Sequence, residues 1–129
     1  FDRAYTFLGP EPGPGDPLRE SAATRAERAR LLARLARLDA DEGLTLQARA
    51  RYEKSAALWS ELLAGTPSLL ERLDATEAMS YLAELAMNQF DHAAAELWFT
   101  KALDSAVTAW LEASGSRGDV DRDRRFEQA

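Results

Sequence analysis

Apolar residues recur along this chain in steps of three and four, the spacing that lines one face of an α-helix. Ala48, Tyr52, Ser55, Ala56, Trp59, Leu62 and Leu63 form the clearest stripe and predict a helix over 45–63, ended by Gly65. Before it, Leu31, Leu32, Leu35, Ala36 and Leu38 predict the buried face of a helix over 17–40. Asp16-Pro17 opens that helix with a cap acceptor and a proline at the first helical position, and the turn around Gly43 closes it. Thr66-Pro67 repeats the same signal and opens a third helix, 67–88, with Leu70, Leu73, Met79, Leu82, Ala83 and Ala86 as apolar positions. Asp74 and Glu77 have capping-box spacing inside it, but the helix is read as continuous. Asp91 then caps a fourth helix, 92–113, carrying Ala95, Trp98, Phe99, Ala102, Leu103, Ala106, Ala109 and Trp110, with Gly115 as its stop.

Two segments flank this four-helix unit of 17–114. Residues 1–16 place Phe1, Tyr5 and Phe7 ahead of GPEPGPGD, where proline removes donors and glycine raises the cost of order. They are read as an extended arm, either a plain tether or one whose aromatics dock on a neighbouring surface. The segment 115–129 is charged and nearly free of apolar residues, and reads as a solvated tail or as the start of a capping helix.

Composition agrees with an all-α fold. Ala, Leu, Glu and Arg dominate and β-branched residues are few, a mixture of high helix propensity. No run of about 18 apolar residues is present to span a bilayer. The chain opens on Phe1 rather than Met, the expectation being a fragment or a processed form. The cytoplasm is the favoured compartment, with an exported form left open. Without cysteine there is neither a disulfide framework nor a thiolate metal site.

The net charge of −6 conceals an uneven distribution. Arginines are concentrated between Pro17 and Lys54, whereas from Ser55 to Gly115 only Arg72 and Lys101 oppose a run of acids. Such asymmetry orients a partner or favours head-to-tail contacts.

An internal repeat underlies the helices. Sliding the chain on itself by roughly 47 positions superimposes Leu35 on Leu82, Ala36 on Ala83, Ala48 on Ala95, Tyr52 on Phe99, Lys54 on Lys101 and Ser55 on Ala102. Gly43 falls on Phe90, so the turn is not expected to repeat. The alanines are the small residues that let two antiparallel helices approach, and Tyr52 and Phe99 fill the space beside them.

At these positions the chain resembles the tetratricopeptide repeat, with Leu35-Ala36 and Leu82-Ala83 at the Leu-Gly positions of that family and Ala48, Tyr52, Ser55 and Ala95, Phe99, Ala102 at its Ala, aromatic and small positions. Asp39 and Ala86 replace an aromatic of the pattern, Ser60 and Val107 replace its proline, and the period exceeds 34 residues. The departures are similar to the longer repeats of kinesin-light-chain-like proteins and of bacterial sensor-kinase and scaffold proteins. What the resemblance implies is two antiparallel helical hairpins stacked as an α-solenoid, acting as a non-catalytic scaffold that docks a protein or peptide. The alternative is a regulatory domain of a bacterial signalling enzyme such as a Ser/Thr kinase. It further implies a partner groove lined by Arg30, Ala33 and Arg37 from the first repeat and by Glu77, Ser80, Glu84, Met87 and Asn88 from the second. In that groove Asn88 would bond a peptide backbone, and Arg30 would face Glu77 as Arg37 faces Glu84. With two repeats, the ends would expose apolar surface for a capping helix, a second chain or a homo-oligomeric contact, with Trp59 and Trp110 as anchors.

Candidate chemistry is sparse. His92 is the one histidine and falls at a helix start, so it reads as a surface residue rather than a catalytic or metal-binding group. No serine stands in a nucleophile-elbow context, and GPEPGPG precedes no strand that would make it a phosphate loop. No enzyme, metal or cofactor is expected. Arg30, Arg34 and Arg37 share a helix face that could track phosphates, but the acidic second half would repel nucleic acid, which is not expected as a partner. Arg117-Gly118-Asp119 is short enough to arise by chance.

Overall fold

The computed structural model describes residues 21–128, with side chains described through residue 115. Among the described residues there are four helices and no strand: α1 (Ala22–Asp41), α2 (Thr45–Leu63), α3 (Leu69–Asn88) and α4 (His92–Gln128). Neighbours in sequence pack together, α1 on α2, α2 on α3 and α3 on α4, while α1 and α3 scarcely touch. Short turns at 42–44 and 89–91 make α1–α2 and α3–α4 antiparallel hairpins.

The helix ends follow local chemistry. Ser21, with extended backbone at ψ 160°, accepts the Thr24 amide at 3.2 Å and starts α1 at Ala22; the expected start at Asp16-Pro17 lies outside the described residues. Ser68, not Thr66-Pro67, starts α3. Its hydroxyl takes the Glu71 amide at 3.1 Å and Glu71 takes the Ser68 amide at 3.0 Å, a complete capping box. The helix then passes through Asp74 without a break. Asp91 caps α4 by accepting the Ala94 amide at 3.2 Å. Gly115 does not stop α4, which continues to Gln128. Gly115 does not adopt the left-handed conformation with which a glycine closes a helix end, so its intrinsic cost of about 1 kcal/mol leaves the helix intact.

The core is built mainly from alanine. Ala26, Ala29, Ala36, Ala48, Ala56, Ala75, Ala78, Ala83, Ala86, Ala95, Ala102 and Ala109 are buried, and Tyr52, Trp59, Met79 and Leu82 fill the larger spaces. Leu31 and Leu38, assigned to a buried face from the sequence, are instead exposed, as are Leu70, Leu73 and Leu103 among the apolar positions of the later helices. At the line of closest approach a methyl group is all that fits, so large side chains are displaced to the margins. Ser55 also faces inward, donating to the Ala29 carbonyl at 2.7 Å.

The turn does repeat. Gly43 has φ +80° and Phe90 has φ 60°, both left-handed. The amides of Gly43 and Leu44 donate to the carbonyls of Ala40 and Asp39, and those of Phe90 and Asp91 donate to Met87 and Ala86, at 2.8–3.0 Å. Every donor and acceptor of the first turn maps onto one of the second at the same 47-residue offset. The backbone keeps a turn that the side chains alone conceal.

Candidate functional site

Because α1 and α3 each lean on α2 but barely on one another, a groove of about 430 Å³ opens between them. Tyr52 and Trp59 of α2 line it, together with Arg30, Ala33, Arg34 and Arg37 of α1 and Leu70, Asp74, Glu77 and Tyr81 of α3.

The arginines bridge it. Arg30 Nε donates to Asp74 Oδ2 at 2.8 Å, its Nη1 donates to Glu27 Oε1 at 3.1 Å, and its guanidinium carbon lies 5.7 Å from the Trp59 ring centroid. The Asp74 bond holds that guanidinium above its ordinary pKa. Arg37 Nη1 donates to the Tyr81 hydroxyl at 2.7 Å, with its guanidinium carbon 4.9 Å from the ring centroid. Tyr81 stacks on Tyr52 at 6.0 Å, and burial pushes the Tyr52 phenol up to about 12, so it packs as a neutral ring. The buried indole N–H of Trp59 has no hydrogen-bond partner among the described residues.

Of the residues assigned to the groove from sequence, Arg30, Ala33, Arg37 and Glu77 line it. Ser80, Glu84, Met87 and Asn88 do not: Ser80 donates to its own helix at the Thr76 carbonyl, 2.8 Å away, and Glu84, Met87 and Asn88 are exposed farther along α3. The expected pairs of Arg30 with Glu77 and Arg37 with Glu84 are replaced by Asp74 and Tyr81, each three residues earlier. Residues that occupy equivalent places in two repeats need not meet, because a helical side chain leans toward the N-terminus of its helix, so a long arginine of α1 meets α3 about one turn earlier. That lean is also why Asp74 and Tyr81 are not reached from repeat position alone. Trp59 and Trp110 differ too, the first being core and the second exposed.

A second bridge joins α2 to the α3–α4 turn. Arg49 donates to Glu53 at 2.9 Å, to Gln89 at 2.8 Å and to Asp91 at 2.6 Å. Arg49, and then the Ala94 amide, hold the Asp91 carboxyl below its usual range. A single arginine thus ties the first hairpin to the cap of α4.

Neighbouring positions show how the two hairpins reach similar packing differently. Asp39 is buried in a 3.0 Å ion pair with Arg51, whereas Ala86 and Trp98 stand at the equivalent places. Among the described residues no group of three His, Asp or Glu side chains is gathered as metal ligands, and no helix is long and apolar enough to cross a membrane. The groove sets the exposed Leu70 and part-exposed Tyr81 between cationic and acidic side chains, a setting suited to holding an apolar side chain flanked by polar groups. No family model, curated protein or solved structure matches this chain.

Proposed function

We propose that this chain is a non-catalytic docking scaffold of two tetratricopeptide-like repeats, stacked as a short α-solenoid, whose α1–α3 groove receives a segment of a protein partner. The observation that carries this reading is the groove itself, where the part-exposed Tyr81 and exposed Leu70 lie over a covered floor of Tyr52 and Trp59, with the arginines of α1 on one wall and Asp74 and Glu77 on the other. Aromatic and arginine side chains are the residue types that most often anchor protein interfaces. The 47-residue repetition of turn hydrogen bonds supports the repeat part of the proposal.

Site-specific photo-crosslinking tests it. A photoreactive residue at Ala33 or Glu77 should capture a stoichiometric protein partner, and one at exposed Gln47, outside the groove lining, should not. Arg37→Glu should abolish the Ala33 adduct while leaving the helical spectrum unchanged. Equal capture at all three sites would place the partner elsewhere.

A further inference from the structure

The α2–α3 interface is a template for what should cover α4. In the first hairpin, Tyr52 is 2 % exposed because α3 lies over it; its equivalent, Phe99, is 41 % exposed. Ala56 and Leu63 are likewise buried or half-buried, whereas their equivalents Leu103 and Trp110 are 62 % and 66 % exposed. A face that one hairpin covers is left bare on the other.

The charges on that face are reversed. Arg30, Arg37 and Arg49 reach from the first hairpin to Asp74, Tyr81 and the Gln89–Asp91 turn of the second. At the equivalent positions the second hairpin carries Glu77, Glu84 and Glu96, all exposed and none in an ion pair among the described residues. The first hairpin selects an acidic neighbour; the second is built for a basic one.

We infer that the exposed α4 face, with Glu96 on it and Glu77 and Glu84 on α3, docks a helical hairpin whose leading helix and following turn present Arg or Lys at the places that Asp74 and Tyr81 hold in α3 and Gln89 holds in the turn after it. Phe99, Leu103 and Trp110 supply the apolar contact, and the glutamates choose the partner. A second copy of this chain is the wrong occupant. Stacked in the same register it would bring Glu27, Arg34 and Glu42 to those three places and Leu44 to that of Asp91, setting Glu77 against Glu27 and Glu96 against Glu42 and Leu44, with one attractive pair, Glu84 with Arg34. This inference rests on the repeat reading of the fold but not on the groove, which the Ala33 crosslink tests separately.

The same arithmetic supplies the experiment, using the full chain throughout. Sedimentation of the wild type at low salt should show a monomer. Glu27→Arg/Glu42→Arg makes the receiving face of a second copy basic and should cause head-to-tail association, raising the average mass at least about twofold. Glu77→Arg/Glu96→Arg corrects the mismatch from the other side and should do the same. Combining all four changes restores like-charge opposition and should return the chain to a monomer, while salt at about 1 M should disperse either double variant. Circular dichroism checks that each variant remains helical. Folded double variants that stay monomeric would overturn the inference, as would a quadruple variant that associates like the doubles. Wild type associating as strongly as the doubles would also overturn it, by making a second copy an adequate occupant.

Discussion

Hairpins α1–α2 and α3–α4 share a backbone and differ in what surrounds them. Ala36 and Ala83, Ala48 and Ala95, and Ser55 and Ala102 are buried at matching places, and the two turns close with matching hydrogen bonds. Yet Tyr52 is core and Phe99 is half-exposed, and three bridging arginines become three glutamates without ion-pair partners among the described residues. Within a hairpin, packing is set by small residues on the helices themselves. Between hairpins, burial is set by whether a neighbour is present. A residue's place in the repeat therefore does not by itself tell whether it belongs to the core or to an exposed face.

The largest test of this difference compares two tryptophans. Trp59→Ala removes a ring buried between α2 and its neighbours and should lower stability by about 3–5 kcal/mol in urea unfolding followed by circular dichroism. Trp110→Ala removes an exposed ring and should change stability by no more than about 0.5 kcal/mol. Equal losses would mean that the two helices are equally covered.

Next come the turns. A Cβ added to Gly43 would meet no atom within 4 Å, so Gly43→Ala should cost only the left-handed backbone penalty of roughly 1–2 kcal/mol. Phe90 already carries that penalty. Phe90→Gly should raise stability by about 0.5 kcal/mol, the strain relieved less the added glycine entropy. If both substitutions destabilised the protein alike, the two turns would not be equivalent.

The smallest effect concerns the Arg49 bridge. Since the folded Asp91 carboxyl titrates below its unfolded counterpart, its contribution is fully present above the ordinary carboxylate pKa of about 3.9 and is lost as pH falls through the lower folded value. Arg49→Gln should flatten this acid-side loss, read as the shift of the urea midpoint between about pH 5 and about pH 2. An unchanged acid limb would remove Arg49 as its cause.

Much of the fold was legible because helical period and small-residue spacing are local properties. The stripe from Ala48 to Leu63 marks α2, and the offset pairing Ala36 with Ala83 and Ala48 with Ala95 marks the second hairpin. Ser68 and Glu71 were legible but passed over, since Thr66-Pro67 offered a competing start two residues earlier. Phe90 gives no local sign of left-handed backbone, because what imposes that conformation is the turn closed by Asp91 and Ala86. The site was half legible. Position in the repeat located Arg30, Arg37 and Glu77, but the direction in which a long side chain leaves its helix decides that Arg30 meets Asp74.

Fluorescence quenching tests the comparison most directly. Of the three tryptophans, Trp59 and Trp110 lie on successive hairpins, and variants keeping one of them with phenylalanine at the others report each site alone. In the free protein, acrylamide should quench Trp110 several-fold more effectively than Trp59, as expected if α3 covers the first hairpin and no described helix covers the second. Equal quenching of the two in folded variants would contradict a bare α4 face and, with it, the reading of the second hairpin as an uncovered copy of the first.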